Sequence, residues 1–187
     1  MRSLVTQTVT VTTTYVHIPT PADFRPATID NPDLTIVQSR EPSVAFYRFL
    51  YDAVGREFVW VNRLAWTDAR LHAYLARPTT TMLVLYLRGT PVGYVELDAA
   101  PEEPGTEIAC FGLVPAVHGR GFGKHLLSVG VQRVFDDGAA RVWLHTCTLD
   151  GPHALANYMA RGFVPYKTTT HEEAIRVEPP GSGEETD

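Results

Sequence analysis

The sequence predicts an α+β fold with a mixed sheet, and three features of the chain support this prediction. Val44, Tyr47, Leu50 and Val54 recur at the spacing of a helix, so their apolar side chains share one helical face. After Pro78 the period changes to two, which is typical of strands. The predicted segments form an antiparallel run followed by a strand-helix-strand unit, and this order indicates a mixed sheet.

The amino-terminal part contains two predicted strands and two predicted helices. A Thr-rich segment within residues 5–18 alternates small polar and β-branched residues, which predicts an extra strand at a sheet edge. Prolines in residues 19–33 indicate a loop, and residues 34–37 predict a short strand. The first helix ends at Gly55, and the second begins after Thr67, a favourable N-cap residue.

The carboxyl-terminal part contains more strands. Residues 81–87 and 92–98 flank a turn and predict a hairpin, and residues 107–113 predict the next strand. A glycine-rich loop then opens onto a helix that stops at Gly138. The remaining predicted elements are a strand over 141–146, a helix over 153–161 and a strand that starts at Phe163.

Length and composition indicate one globular domain. The 187 residues are enough to bury a sizeable core, with two domains disfavoured. Hydrophobic residues make up 44% of the chain and charged residues 20%, which is typical of a folded protein. We expect one domain over residues 1–178 and a flexible polar tail over residues 179–187.

Charge and hydropathy argue against several classes of protein. The 16 Lys and Arg residues against 21 Asp and Glu give a net charge of −5, which disfavours nucleic acid as a partner and favours cationic small molecules. The longest apolar run is too short to cross a bilayer, and the amino terminus shows no apolar secretory segment. Cys110 and Cys147 are isolated and form no Cys-x-x-Cys motif, which predicts buried free thiols in a reducing, cytoplasmic location. No metal site is expected.

The glycine-rich loop over residues 118–123 is the strongest motif in the chain. Three glycines in five residues at the start of a helix expose backbone N–H groups that attract phosphate oxygens. A P-loop would need Gly at His118 and Ser or Thr at His125. A dinucleotide-binding fingerprint would need Gly at Lys124. The spacing that remains is x-Gly-Arg-Gly-x-Gly.

This spacing resembles the GNAT superfamily of acyl-CoA-dependent N-acyltransferases, which carries (Gln/Arg)-x-x-Gly-x-(Gly/Ala) between its fourth strand and the next helix. The family also carries an Ala, a Tyr four residues later and then Gly-Phe, which match Ala154, Tyr158, Gly162 and Phe163. The two motifs together cover about residues 80–166. The resemblance implies an α/β/α sandwich with six to seven strands and a splayed strand pair that admits the pantetheine arm of acetyl-CoA.

The resemblance also implies how the acyl donor is held and activated. The backbone N–H groups of the loop would bind the pyrophosphate, and a main-chain N–H near the end of the preceding strand would stabilise the oxyanion. Gly112 would suit a bulge there. Tyr158 stands at the position of the general acid that protonates the departing thiolate. The predicted acetyl-CoA-binding residues are Phe111, Gly112, Leu113, His118, Gly119, Arg120, Gly121, Phe122, Gly123, Lys124 and Tyr158.

The acceptor is expected to be a primary amine, on a small molecule or a peptide, that attacks the thioester directly. Glu107 stands where one branch of the family places its general base and is the first candidate; Glu96 is the second and would also line the acceptor side. Aromatic and basic side chains between the first two helices would contact the acceptor. The named candidates for acceptor binding are Tyr51, Arg56, Trp60 and Glu96.

Two departures from the family pattern keep an alternative open. His118 replaces Gln or Arg at the first motif position, and Asp150-Gly151 stands where the family has Asn before the second helix. The alternative is a non-catalytic acyl-CoA sensor on the same fold, and a structural subunit acting through a sheet edge is a third class. His145 and Cys147 share a strand face without further ligands, so His145 is expected to be packed or half-exposed. A homodimer is possible.

Overall fold

The computed structural model describes residues 5–177, and the predicted tail over residues 179–187 lies outside the described residues. Within that range the chain forms seven strands and four α-helices. The strands are β1 (Val5–Ile18), β2 (Leu34–Ser39), β3 (Thr80–Leu87), β4 (Thr90–Asp98), β5 (Thr106–Leu113), β6 (Val142–Cys147) and β7 (Val164–Val177). The helices are α1 (Val44–Gly55), α2 (Asp68–Leu75), α3 (Phe122–Asp136) and α4 (Ala154–Ala160).

All seven strands belong to one mixed sheet with the order β2-β3-β4-β5-β6-β1-β7. Neighbouring strands pair antiparallel, apart from β5 and β6, which run parallel. The predicted α+β fold with a mixed, mostly antiparallel sheet is confirmed. The parallel pair is also the one joined by a helix, α3, because parallel neighbours need a crossover connection.

The position of β1 differs from the sequence prediction. The Thr-rich strand is not at a sheet edge: its second half pairs with β6 on one side, and nearly its whole length pairs with β7 on the other. β7 is the edge strand on this side. Thr suits any pleated, half-buried surface, so its abundance does not distinguish an interior strand from an edge strand.

Two apolar clusters lie on opposite faces of the sheet. Helices α1 and α2 cover one face, where Tyr47, Leu50 and Leu71 are fully buried against Tyr94 of β4. Helices α3 and α4 cover the other face over the cluster that includes Leu127. We call the face under α1 and α2 the acceptor face, because the acceptor is expected from the sequence to bind there, and we call the other the helix-α3 face.

Local signals account for the ends of several elements. The side chains of Ser43 and Thr67 accept hydrogen bonds from the backbone of the first turns of α1 and α2, at 3.2 and 3.3 Å. Arg88 and Gly89 both have positive φ and form a two-residue turn between β3 and β4. The hairpin connection is therefore shorter than the four-residue turn that the sequence indicated.

The loop between β1 and β2 is fastened to α3 by two side chains. His125 Nδ1 accepts a hydrogen bond from the Ile29 backbone at 3.2 Å, and Ser128 Oγ accepts one from Ala27 at 2.8 Å. Burial lowers the pKa of His125 below its ordinary value of 6.5. The folded chain therefore holds this imidazole neutral, with Nδ1 free to accept.

This arrangement predicts that stability falls in mild acid. Below pH 6.5 the unfolded state binds more protons at His125 than the folded state, so the free energy of unfolding decreases as the pH drops. Urea unfolding should show that the free energy of unfolding decreases less between pH 7.5 and pH 5.5 for His125→Asn than for the unchanged chain. Ser128→Ala removes the other hydrogen bond to the loop, but serine does not titrate in this range. This variant should therefore keep the full pH dependence of the free energy of unfolding. An unchanged pH dependence in His125→Asn would refute the assignment.

Candidate functional site

The sheet opens between β5 and β6. These parallel strands pair only at their first residues, Thr106 with Val142 and Glu107 with Trp143. Beyond that point β5 continues beside β4, while β1 holds β6 as far as Cys147. The two strands therefore diverge towards their carboxyl ends and leave an opening in the sheet.

A bulge in β5 lies beside the opening, although not where the sequence indicated. The register with β4 shifts between the pairs Leu97–Ile108 and Glu96–Cys110, so Ala109 is the extra residue. Gly112 pairs regularly with Tyr94, and the bulge expected there is wrong. Gly112 is instead needed for packing, because a Cβ atom would overlap Val54 of α1.

The glycine-rich loop lies at the carboxyl end of β5 and leads into α3. Gly119 and Gly121 have φ of +74° and +79°, a left-handed conformation that favours glycine, and Gly121 is the N-cap of α3. Within residues 5–177, no group outside the helix accepts a hydrogen bond from the backbone N–H of Gly119, Gly121 or Gly123. The loop thus presents free donors at the positive end of a 15-residue helix.

The side chains of the loop differ in their roles. The His118 imidazole lies 3.0 Å from the Leu113 carbonyl oxygen and ties the loop to the end of β5. The Arg120 guanidinium lies 4.6 Å from the centre of the Phe122 ring, which is itself buried. Arg120 and Lys124 are exposed, so they add positive charge where the backbone donors lie.

The turn after β6 forms the other side of the opening. Asp150 closes it by accepting hydrogen bonds from the Thr146 hydroxyl at 2.6 Å and the Cys147 backbone at 2.9 Å. A Cβ atom at Gly151 would lie 3.3 Å from the Phe58 ring, and that ring also faces His118 at 6.4 Å. Asp150 and Gly151, which stand where the family has Asn, therefore form a tight turn, and the missing Cβ of Gly151 lets Phe58 approach this turn from the acceptor face.

Tyr158 reaches the opening from the helix-α3 face. Its ring is 7% exposed and makes edge contacts with Phe111 at 6.0 Å and Phe163 at 5.9 Å. Burial, with the Asp150 charge nearby, raises the pKa of Tyr158 well above 10. The hydroxyl is therefore protonated at neutral pH and able to donate.

Glu107 and His145 lie on the acceptor face where β5 and β6 begin to diverge. Glu107 Oε1 is 3.4 Å from His145 Nδ1, and the exposed fractions of the two side chains are 18% and 49%. The imidazole also packs against Tyr15 of β1, with 5.6 Å between the centres of the two tilted rings. The structure thus brings the first candidate base beside a histidine.

Glu96 lies on the same face of the sheet as Glu107, but it is covered by α1 and α2. Its carboxylate is fully buried and accepts hydrogen bonds from the hydroxyls of Tyr47 at 2.7 Å and Tyr74 at 2.5 Å. The Arg63 guanidinium donates to the same carboxylate at 3.1 Å. Burial raises the pKa of Tyr47 and Tyr74 well above 10, so both remain donors.

Arg63 is the centre of a stack of cations and aromatic rings between α1 and α2. Its guanidinium packs on both Trp66 and Tyr74, 4.1 and 4.2 Å from their ring centres, at the corner where these two rings meet edge to face. Arg70 covers the Trp66 ring at 4.0 Å, and Arg77 covers the Tyr74 ring at 4.5 Å. This stack fixes the segment that links the two helices.

The predicted acceptor-binding residues in this region have different environments. Tyr51 is buried, and burial raises its pKa to about 12. Trp60 is half-buried, with its ring 5.4 Å from that of Tyr51. Arg56 is exposed and forms an ion pair with Asp52 one helical turn earlier. Only Trp60 and Arg56 of these three therefore present much surface to solvent.

Sequence reasoning did not identify Arg63, and it gave His145 no chemical role. Arg63 stands three residues after Trp60 and three before Trp66, and this spacing was an available signal. The approach of His145 to Glu107 had no local signal, because the two residues are 38 positions apart on different strands, whose pairing is set by the fold.

Comparison with known proteins identifies the family. A model of the acetyltransferase (GNAT) family matches residues 45–163, which is more than half of the chain. The chain therefore belongs to the GNAT acetyltransferase family, and the resemblance of the two motifs is confirmed. A search of curated proteins found none with a significant match to the sequence.

Solved structures support the same fold. A GCN5-related N-acetyltransferase from Sphaerobacter thermophilus aligns with a TM-score of 0.63 at 15% identity over 95% of this chain, and one from Kribbella flavida with 0.59 at 18% over 94%. The alignments cover 62% and 60% of those longer chains. The aminoglycoside acetyltransferase meta-AAC0020, from an uncultured soil metagenomic sample, aligns with a TM-score of 0.58 at 19% identity. This alignment covers 70% of the present chain and 88% of that structure. At such identities the likeness concerns the fold alone.

Two further observations bear on the class of site. In the described part of the chain, no helix combines the length and apolar character needed to cross a membrane. Residues 5–177 also bring together no group of three His, Cys, Asp or Glu side chains suited to a metal ion. Both cysteines in this range are free thiols, and each residue is half-buried and not fully buried as expected.

Proposed function

We propose that this chain is an N-acetyltransferase that moves an acetyl group from acetyl-CoA to a primary amine by direct attack. The observation that carries the proposal is the combination of free backbone donors in residues 119–123 with the opening between β5 and β6. A pyrophosphate at the loop would place the pantetheine arm along the opening, because both lie at the carboxyl end of β5.

The residues around the opening fit an acyl-CoA substrate. Gly119 and Gly121 allow the backbone to approach phosphate oxygens closely, and Arg120 and Lys124 would neutralise their charge. The backbone N–H groups of Phe111, Gly112 and Leu113 are the proposed sources of an oxyanion donor. The His118 side chain already contacts Leu113, so its proposed part in phosphate binding is to position the loop.

The two faces of the opening would divide the chemistry. The amine would approach from the acceptor face, where Glu107 is the proposed proton acceptor or its partner, and the thiolate would leave towards Tyr158 on the other face. Glu96 remains the second candidate base, although three donors already occupy its carboxylate. Tyr51, Arg56 and Trp60 are the proposed acceptor contacts.

The binding step is tested by calorimetric titration with acetyl-CoA and a matched pair of glycine substitutions. Gly119 and Gly138 both have positive φ, and a Cβ atom at either position would meet nothing within 4 Å. Alanine should therefore cost each position about 1–2 kcal/mol of backbone strain. Gly119→Ala should in addition weaken acetyl-CoA binding at least about tenfold, because its Cβ atom would occupy open space from which the pyrophosphate approaches the backbone N–H groups. Gly138→Ala, at the far end of α3, should bind as the unchanged chain does.

Three results would contradict parts of the proposal. Failure of the folded, unchanged chain to bind acetyl-CoA would exclude the acyltransferase function. Equal loss of binding in Gly119→Ala and Gly138→Ala would show that the loop is not the pyrophosphate site. Binding without turnover of any amine would favour the alternative, a non-catalytic acyl-CoA sensor acting in the cytoplasm.

A further inference from the structure

We propose that His145 accepts the proton of the attacking amine and that Glu107 is the residue that positions it. This inference rests on the proposed N-acetyltransferase function and specifies its general base. In the described chain, Glu107 has no ion-pair partner other than His145, and no hydrogen bond engages either ring nitrogen of His145. The Nε2 atom of the imidazole is therefore available to a substrate.

The position of His145 along β6 places it at the opening. Pairing of β5 with β6 ends at Glu107 and Trp143, and His145 is the next residue of β6 on the same face. Leu144 and Thr146, which flank it, are buried towards the helix-α3 face, so His145 points to the acceptor face. It is thus the nearest titratable side chain of β6 to the point where the strands part.

The neighbours of His145 constrain the ring without engaging Nε2. Tyr15 packs against the imidazole from β1, and Lys167 Nζ of β7 lies 4.5 Å from the centre of the Tyr15 ring. Glu107, held in a half-buried position by β5, approaches Nδ1 at 3.4 Å. A carboxylate at Nδ1 favours the tautomer in which Nδ1 carries the proton and Nε2 carries the lone pair. The distance exceeds that of a good hydrogen bond, and catalytic hydrogen bonds commonly shorten when substrate binds.

The opposite faces of the opening supply an acid and a base for one acyl transfer. The amine nitrogen forms the new C–N bond with the thioester carbonyl carbon, and His145 Nε2 takes the proton that this nitrogen loses. The C–S bond then breaks, and the thiolate takes a proton from the Tyr158 hydroxyl. Tyr158 recovers its proton from the imidazolium through solvent, so the products are the amide and the free thiol, with no further reactant.

The experiment compares His145 with a histidine in a similar pair elsewhere. His171 of β7 also lies 3.4 Å from a carboxylate, that of Glu173, and its side chain is 54% exposed. Thiol release from acetyl-CoA would be measured with an aminoglycoside, a polyamine, an amino acid and a peptide with a free amino terminus. For the amine that reacts, His145→Gln should lower kcat about 10²- to 10⁴-fold, while KM for acetyl-CoA changes little. His171→Gln should leave kcat unchanged.

Two further variants distinguish a general-base role of His145 from a purely structural one. Imidazole added to His145→Ala should restore part of kcat in a saturable way, which a purely structural role would not allow. Glu107→Gln should lower kcat about 10- to 100-fold, less than the loss of His145 itself, because it removes only the orienting partner. The unfolding midpoints in urea of all variants would be measured alongside.

Distinct results would overturn the inference. If Glu107→Gln loses far more activity than His145→Gln, the carboxylate is the base and the assignment to His145 is wrong. An inactive His145→Ala that imidazole does not rescue also refutes it. A chain that binds acetyl-CoA but acylates no amine refutes the N-acetyltransferase function itself, and this inference with it.

Discussion

Replacement of Glu96 by glutamine is expected to lower the free energy of unfolding by about 3 kcal/mol, the largest stability loss that we predict for a single polar side chain of this protein. The carboxylate is fully buried, and it is the ion-pair partner of Arg63, whose side chain is only 17% exposed. Glutamine keeps the shape but removes the charge. The guanidinium would then remain largely desolvated against two aromatic rings without a counter-ion.

Asp98 provides the matched control on the same strand. Its carboxylate pairs with Arg77 at 2.5 Å, and the Arg77 side chain is 37% exposed, so water can partly replace the lost partner. We therefore expect Asp98→Asn to cost only about 1 kcal/mol in the same urea titration. A double-mutant cycle of Glu96→Gln with Arg63→Gln should show strong coupling between the two residues.

The outcome also separates two roles for Glu96. Burial and three donors favour a carboxylate that fixes the segment between α1 and α2, which lines the acceptor face. In that case kcat and stability should fall together when Glu96 is replaced, and Arg63→Gln should lower both as well. A Glu96→Gln variant of unchanged stability that has lost turnover would instead support the general-base hypothesis for Glu96.

Much of the fold could be predicted because its signals are local. The apolar face of α1, the N-cap Thr67 and the hairpin around Gly89 depend on residues within one or two turns of each other. The position of β1 could not be predicted, because its partners β6 and β7 lie more than 100 residues away and its alternating Thr residues suit several registers. The family match begins at residue 45 and gives no information on β1.

The parts of the site in which the backbone conformation requires glycine could be predicted from the sequence. The parts whose geometry depends on contacts between distant elements were harder to predict. Gly119 and Gly121 have the positive φ that the loop needs, so the spacing of the motif directly reflects geometry. The bulge lies at Ala109, a residue with no distinctive signal, whereas Gly112 is required by contact with α1. The alternation of side chains along β4 correctly placed Glu96 on the acceptor face of the sheet. It could not show that α1 and α2 cover the acceptor face at this position.

Replacement of Tyr158 by phenylalanine is expected to produce a loss of activity as large as any that we predict for a change that leaves the structure intact. We predict a decrease in kcat of about 10²- to 10⁴-fold, because the departing thiolate loses its proton donor. The ring packs between Phe111 and Phe163, and phenylalanine preserves these contacts. The affinity for acetyl-CoA measured by calorimetry should therefore change less than about threefold, since only one hydroxyl is removed.

Tyr94 is the control for removal of a buried hydroxyl. It is fully buried on the acceptor face under α1, and Tyr94→Phe should leave kcat nearly unchanged. Because burial holds the pKa of Tyr158 well above 10, the activity of the unchanged chain should not decline between pH 8 and about 10 through ionisation of this residue. An active chain in which Tyr158→Phe retains full kcat would show that the thiolate leaves without help from Tyr158, and the proton would then have to come from solvent at the mouth of the opening.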